Sequence, residues 1–122
     1  ERLSFASAAL QAAAQGVTGQ LTVTDVTHGR FELRLLGPAA ANLLSRVCGL
    51  DLHETSFAQG HVAQTSVAKT HQLIIRADVI DLPAYRLIGG RALGAYVWDT
   101  LMEAGRDLQL SPIGCQALES LT

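Results

Sequence analysis

Residues 60–105 read GHVAQTSVAKTHQLIIRADVIDLPAYRLIGGRALGAYVWDTLMEAG, and this stretch decides the fold of the chain. Val62 to Ala68 and His71 to Arg76 both show the period-two pattern that is typical of strands. A short polar break at Lys69-Thr70 separates them. The two segments therefore predict an antiparallel hairpin.

The same stretch continues with a third strand and the strongest amphipathic helix of the sequence. Asp78 to Pro83 forms a turn. Pro83 ends any strand pairing that ran through Val79 and Ile80, because proline lacks an N–H and disfavours helix in the residue before it. Tyr85 to Ile88 resumes as a strand, and Gly89-Gly90 frees the backbone to turn into a helix that runs from Arg91 or Ala92 to Gly105. The side chains predicted to form the core are Phe31, Leu33, Leu73, Ile75, Leu87, Val97 and Leu101.

An alanine-rich segment at the start of the chain predicts a helix. Ser4 or Ser7 could cap it, alanine has the highest helix propensity, and Gly16 fits a stop. Its large apolar anchors are Phe5 and Leu10. Two anchors are too few for a core element, so we expect this helix to dock on something else, such as a partner.

A second hairpin is predicted before the central stretch. Leu21 to Val26 and Phe31 to Leu35 both alternate, and Thr27 to Arg30 contains a glycine suited to a turn. The apolar side chains of both strands are expected to share a core face. Gly37-Pro38 then opens a helix that stops at Gly49.

The remaining segments are shorter. Residues 50–60 have the polar pattern of a loop, in which Phe57 is the side chain expected to be tucked in. Leu108 to Leu110 predicts a short terminal strand, and Ser111-Pro112 predicts the start of a last helix.

Antiparallel strands interleaved with helices predict an α+β fold, with an antiparallel or mixed sheet and helices packed on it. The length fits one domain over residues 1–122. We divide it into an N-terminal helix at 1–16 and an α+β module at 17–122.

Composition and charge narrow the classes of function. Of the 122 residues, 48% are hydrophobic and 16% are charged, with a net charge of -2. The 9 Lys and Arg are scattered, so there is no general attraction to phosphate backbones and nucleic acid is not expected as a partner. No apolar run approaches the roughly 20 residues that cross a bilayer, so no membrane segment is expected. The hydrophobic content favours an apolar surface that a partner covers.

Cys48 and Cys115 are far apart and fit no metal or redox spacing, and no signal-peptide pattern is visible. We interpret them as buried small hydrophobes or inert surface thiols. This usage predicts a reducing compartment and a cytoplasmic location.

Histidine is a common metal ligand, which makes four positions worth weighing: His28, His53, His61 and His71. None of them is paired at a close helical interval. Since a metal site is judged by ligand number and geometry, we expect no metal here.

Asp78 and Asp81 have two interpretations. Paired carboxylates could divide the roles of acid and base if their pKa values were pushed apart. Aspartates beside Pro83 are also favoured in turns, because they bond to local backbone groups, and this is the simpler interpretation. Gly89-Gly90 before a helix could belong to a phosphate-binding turn, but neither GxGxxG nor a P-loop lysine accompanies it, so a turn is preferred.

Tyr96 and Trp98 could stack on a flat ligand, but large aromatics at helical spacing more often anchor a core or an interface. We expect the outer side of the Leu93 to Met102 helix, together with Phe5 and Leu10, to form the interface of a homodimer or larger assembly.

Several short motifs in a fixed order carry a family resemblance: GPAAANLLSR at 37–46, LDL at 50–52, QGHVAQT at 59–65, YVWD at 96–99 and GCQALE at 114–119. With them the chain resembles the folate-binding aminomethyltransferase superfamily of glycine-cleavage T-protein, and within it the gamma subunits of heterotetrameric sarcosine oxidase. The resemblance covers about Leu33 to the C-terminus.

The resemblance implies where a catalytic member would carry its acid. In catalytic T-proteins the hairpin that corresponds to Ala68 to Ile75 carries a paired glycine and an aspartate that acts in one-carbon transfer to tetrahydrofolate. This chain has Lys69-Thr70-His71-Gln72 there. Without a carboxylate no general acid or base is carried over, so no catalytic residue is assigned and the cofactor-binding residues stay unassigned.

Two functions from different classes stay open. The first is a non-catalytic accessory or structural subunit, like the sarcosine oxidase gamma subunit, that pairs with itself or with amine oxidase-type subunits in one-carbon metabolism. The second is a small dimeric module that binds tetrahydrofolate at the subunit interface. Under either function, the isolated chain is predicted to have no aminomethyl transfer or amine oxidase activity.

Overall fold

The computed structural model describes residues 2–121 as a four-stranded antiparallel sheet with two helices packed against one face. The strands are β1 (Arg30–Leu36), β2 (Val62–Val67), β3 (Thr70–Arg76) and β4 (Ala84–Gly90), in the order β1-β4-β3-β2. The helices are α1 (Arg2–Ala14), α2 (Ala40–Ser45), α3 (Gly94–Ala104) and α4 (Cys115–Ser120). The predicted α+β fold is confirmed.

The predicted hairpin of the central stretch is also confirmed, as β2 and β3 pair antiparallel from Val62 opposite Ile75 to Val67 opposite Thr70. Their turn places Ala68 and Lys69 at φ of 50° and 62°. Left-handed φ at two successive residues is the conformation of a tight hairpin turn, which glycine and asparagine adopt more easily than alanine or lysine.

The core lies between the sheet and the helices α2 and α3. Its largest fully buried side chains come from both layers: Leu43 and Leu44 of α2, Val67, Ile74, Tyr85 and Leu87 of the sheet, and Val97 of α3. Phe57 of the 50–60 loop is buried, as predicted, and stacks on the Tyr85 ring at 6.4 Å between centroids. Gly105 ends α3 where a Cβ would come within 2.3 Å of a Leu43 methyl carbon, so glycine is needed for this close approach.

The core face of β3 is the opposite of the predicted one. Ile74 is fully buried, whereas Leu73 and Ile75 are half-buried on the outer face. The inward face of β3 also carries the buried polar side chains of Gln72 and Arg76, which obscured the pattern in the sequence. Of the other predicted core residues, three are buried and two are half-buried against the core: Leu87, Val97 and Leu101, and Phe31 and Leu33.

The predicted first hairpin is wrong. Residues 20–26 form no strand, and Leu21 is 54% exposed. Thr27–Gly29 is a short 3₁₀ turn, fixed by the Thr27 N–H that donates to the Asp25 carboxylate at 2.9 Å, and it does not fold the chain back. β1 instead pairs with β4 along its whole length, from Arg30 opposite Gly90 to Leu36 opposite Ala84.

Two shorter predictions also fail. Gly89 and Gly90 belong to β4 and form no turn, and a Cβ on Gly89 would come within 2.1 Å of the Gln72 side-chain oxygen. The predicted strand at Leu108 to Leu110 is replaced by a 3₁₀ turn at Arg106–Leu108 and a left-handed Gln109 at φ of 58°.

The N-terminal helix is confirmed as α1, and none of its residues is buried. Among residues 2–121, no helix combines the length and the apolar character that crossing a membrane requires.

Candidate functional site

The tip of the β2–β3 hairpin is the place where the resemblance led us to look for a catalytic acid. Thr70 donates its hydroxyl to the Val67 carbonyl at 2.9 Å and accepts a bond from the Gln72 side-chain nitrogen, also at 2.9 Å. Lys69 and His71 are exposed. The tip thus presents the side chains of Lys69, Thr70 and His71, and none of them is a carboxylate.

Gln72 is 3% exposed and lies over Gly89 on the core face. Its side-chain oxygen has no hydrogen-bond partner among residues 2–121. Exchanging its oxygen and nitrogen would not help, because the Thr70 hydroxyl already donates to Val67 and accepts here. Gln72 therefore belongs to the packing of the sheet and does not offer a group to a ligand in solvent.

The second feature of the tip is its connection to α3. The Tyr96 hydroxyl donates to the Ala68 carbonyl at 3.0 Å, so the half-exposed Tyr96 ring lies against the hairpin turn. This bond fixes the tip relative to the helix.

Asp78 is fixed in an ion pair and is unsuited to acid–base chemistry. Its two carboxylate oxygens accept bonds from Arg76 at 3.0 and 3.2 Å, and one of them also accepts the Ala84 N–H at 3.1 Å. The Arg76 bond, more than the opposing effect of burial, lowers the pKa of Asp78. Asp81 is exposed in the same turn. The turn interpretation of these aspartates is therefore favoured over an acid–base pair.

Arg76 is a buried arginine that connects the sheet to the 50–60 loop, a role that the sequence did not predict. It is 5% exposed, donates to the Phe57 carbonyl at 2.9 Å and lies over the Tyr85 ring at 5.9 Å. Glu54 approaches it at 3.5 Å from the surface. Arg76 thereby ties the 50–60 loop to the sheet. The signals in the sequence were its alternation with apolar neighbours in β3 and the acidic Asp78 two residues later.

The four histidines lie in different parts of the structure. His28 is in a 3₁₀ turn, His53 bonds to the Thr55 hydroxyl at 2.9 Å, His61 packs edge-on against Phe57, and His71 is on the outer face of β3. No group of three or more His, Cys, Asp or Glu side chains that could hold a metal ion occurs within residues 2–121. Cys48 is buried and Cys115 is exposed, and both are free thiols.

An apolar groove of about 160 Å³ lies between the outer edge of β1 and α3, and it is lined by Leu33–Leu36, Trp98, Leu101, Met102 and residues 110–113. Trp98 and Ile113 are large apolar side chains at its rim that remain well exposed. We call this feature the β1 groove.

The structure separates the four predicted interface residues. Phe5, 78% exposed, and Leu10 lie on α1. Trp98 faces the β1 groove, whereas Tyr96 faces the hairpin tip, because residues two apart on a helix do not share a face. Their role in an interface stays a prediction.

Two concave surfaces are candidates for a tetrahydrofolate site: the β1 groove and a depression on the outer face of the sheet. The β1 groove is smaller than the roughly 300–1,000 Å³ of pockets that enclose ligands of that size. A shallow depression on the outer face of the sheet is lined by Arg30, Gln64, His71 and Leu73. The side chains of Arg30, Gln64 and His71 can donate to the carboxylate tail of a folate, but no carboxylate lines the depression to hold the pterin ring, so no transfer step can be derived.

Comparison with known proteins finds relatives that match most of this chain. The chain is 29% identical to an aminomethyltransferase of Listeria welshimeri, over 88% of the chain and 28% of that enzyme. It is 29% identical to the 4-methylaminobutanoate oxidase (formaldehyde-forming) of Paenarthrobacter nicotinovorans, over 81% of the chain and 12% of the oxidase. The chain thus spans less than a third of these relatives.

A solved structure and a family model extend the comparison. The structure superposes on a chain of the heterotetrameric sarcosine oxidase from Corynebacterium sp. U-96 with a TM-score of 0.73 and 27% identity, covering 88% of this chain and 53% of that one. The family model described as the GCVT N-terminal domain matches residues 4–122. The resemblance inferred from the sequence is confirmed, and the chain belongs to the GCVT N-terminal domain family.

Proposed function

We propose that this chain is a non-catalytic accessory module that associates with amine-oxidising subunits in tetrahydrofolate-linked one-carbon metabolism. The observation that carries the proposal is the hairpin tip, where Lys69 to Gln72 replace the expected acid and Asp78 is held in an ion pair. A fold that keeps its family geometry without an acid at this place is suited to binding and packing.

Two further observations support an accessory role. The similar solved chain is part of a heterotetrameric sarcosine oxidase, and one similar relative is itself an amine oxidase. The exposed apolar side chains of α1, together with Trp98 and Tyr96 on α3, supply contact surface for a neighbouring subunit. The free thiols of Cys48 and Cys115 support a reducing compartment, and we place the module in the cytoplasm.

A binding experiment tests this proposal. The purified chain is mixed with the flavoprotein subunits of a heterotetrameric sarcosine oxidase-type complex, and binding is measured by sedimentation. We expect a complex, weakened by Phe5→Ala and Trp98→Ala. It should be unchanged by Ile80→Ala, which removes an apolar side chain of the 78–83 turn that is 71% exposed, close to the 78% of Phe5. No complex with any such subunit, or turnover of sarcosine by the chain alone, would contradict the accessory role.

The outer-face depression favours a second candidate, a module that binds folate without transferring its one-carbon unit. Arg30 and His71 would take the glutamate carboxylates of the folate, and Leu73 would pack on its aromatic part. Fluorescence titration with a reduced folate, compared between the parent and Arg30→Ala, tests this candidate. Saturable binding that Arg30→Ala weakens would support it, and no binding at millimolar folate would exclude it.

A further inference from the structure

β1 is an edge strand of the sheet, and its register with β4 fixes which of its N–H and C=O groups point away from the sheet. Gly37 donates its N–H to the Pro83 carbonyl at 2.9 Å, which extends the β1–β4 register by one pair. Hydrogen-bonded and non-hydrogen-bonded pairs alternate along an antiparallel ladder. Residues 35, 33 and 31 therefore bond to β4. The residues whose N–H and C=O point away from β4, toward the open edge, are Arg30, Glu32, Arg34 and Leu36.

This edge is unpaired in the described part of the chain. No backbone hydrogen bond among residues 2–121 joins Arg30–Leu36 to a segment other than β4. The edge also forms one wall of the β1 groove. A row of unpaired backbone donors and acceptors beside an apolar groove is a template for an added strand.

The sequence of β1 specifies what that strand can be. In the segment FELRL, residues 31–35, apolar residues mirror each other about Leu33, and the two charged residues on either side of it, Glu32 and Arg34, have opposite signs. In an antiparallel pair of two copies, a residue whose N–H and C=O point to the open edge must lie opposite another such residue. The two-fold axis between the copies can therefore pass through residue 32, 33 or 34. Centres at 32 and 34 bring Glu32 against Glu32, or Arg34 against Arg34. The centre at Leu33 brings Glu32 against Arg34 twice.

Cross-strand charge pairs decide between these registers, because like charges directly opposite destabilise a sheet and opposite charges stabilise it. Arg34 bonds to Glu32 of its own chain at 2.7 Å, and its side chain stays 45% exposed, so it can also pair with the Glu32 of a second copy. On the core face the same register places Leu33 against Leu33 and Phe31 against Leu35. These apolar pairs would extend the core across the β1 groove.

We infer that two copies of this chain pair antiparallel through the open edges of β1, centred on Leu33, to form a continuous sheet across a two-fold axis. The inference does not depend on the proposed function, since it uses only contacts between identical chains.

Charge reversal tests the register. Arg34→Glu places acids opposite acids in the pair, and Glu32→Arg places bases opposite bases. We expect the parent chain to sediment at twice the mass of one chain at micromolar concentration, and each variant alone to associate at least tenfold more weakly. An equimolar mixture of the two variants restores Glu against Arg at every contact, so it should regain the association as a heterodimer. Folding of each variant is checked by far-UV circular dichroism, since Glu32→Arg also removes the bonds to Arg86.

Cross-linking gives a second test that needs no charge change. Opposing residues of a non-hydrogen-bonded pair lie about 4.5 Å apart between Cα atoms, within disulfide range. Leu33→Cys in a Cys115→Ser background should therefore oxidise to a disulfide-linked dimer. Arg30→Cys in the same background is the control, because residue 30 opposes residue 36 and not its own copy.

The inference would be overturned by a monomeric parent chain, by an Arg34→Glu chain as dimeric as the parent, or by a mixture that associates no better than its components. Equal cross-linking at positions 33 and 30 would overturn the register.

Discussion

Replacing Asp78 with asparagine tests whether the buried Arg76 depends on its carboxylate. One Asp78 oxygen accepts bonds from Arg76 at 3.0 Å and from the Ala84 N–H at 3.1 Å, and asparagine can keep both. The other oxygen accepts the second Arg76 bond at 3.2 Å. In asparagine an NH₂ group would take the place of this oxygen and face the N–H of Arg76, so this bond would be lost. A hydrogen bond to a charged group contributes about 1.5–3 kcal/mol.

Breaking a fully buried ion pair costs about 3–5 kcal/mol, and Asp78 is partly exposed, so we expect Asp78→Asn to lower the free energy of unfolding by about 2–3 kcal/mol at pH 7. Urea denaturation followed by Trp98 fluorescence measures this change. Asp81→Asn, at an exposed position of the same turn, is the matched control and should change stability by less than about 0.5 kcal/mol.

The pH dependence of stability shows whether Asp78→Asn acts by removing the negative charge of Asp78 or by disturbing the local packing. Because the Arg76 pair lowers the pKa of Asp78 below its ordinary 3.8, the stabilisation is complete above that ordinary value and is lost as pH falls through the folded pKa. The gap between parent and Asp78→Asn should therefore be constant from pH 7 to about pH 5 and narrow in more acidic solution. A gap under about 0.5 kcal/mol at pH 7, or one that does not narrow in acid, would refute this account of the Arg76 pair.

Four further variants test the turn and the packing, and their stability is measured by the same denaturation. Lys69→Gly should stabilise the chain by about 1 kcal/mol, because Lys69 holds a φ of 62° that glycine adopts without strain; an unchanged midpoint would mean that the turn relaxes in solution. Gly105→Ala should destabilise it by about 2 kcal/mol through overpacking against Leu43, and a neutral result would show that Leu43 can move aside. Ile74→Asp should cost more than about 4 kcal/mol and Ile75→Asp only about 1–2, and the reverse order would restore the core face predicted from the sequence.

The sequence predicted the central part of the fold because its signals are local. The β2–β3 hairpin, the burial of Phe57 and the amphipathic α3 all follow from patterns within a few residues. The core face of β3 could not be found in this way. Arg76 is buried with two partners: Asp78 is two residues away, but the Phe57 carbonyl lies 19 residues earlier in the chain, and no local pattern contains it.

The predicted strand at residues 21–26 also shows that a local pattern does not identify a pairing partner. Residues 21–26 alternate as regularly as β1 does, but they form no strand. β1 pairs with β4, whose residues lie 48 to 60 positions later in the chain. The lack of an acid at the hairpin tip was visible in the sequence. The open edge of β1 was not, because which backbone groups point outward depends on the register with β4.

Because α1 has no buried residue, it should unfold locally without the rest of the chain. A 13-residue helix with no buried side chain is held mainly by its own hydrogen bonds, and isolated helices shorter than about 12–15 residues are marginal in water. Its amides should exchange with deuterium through local fraying, on a far shorter timescale than those of β3 and β4, which open only when the sheet unfolds. A subunit that covers Phe5 and Leu10 would slow exchange within Arg2–Ala14, so hydrogen exchange can report docking even where the mass of the complex cannot be measured.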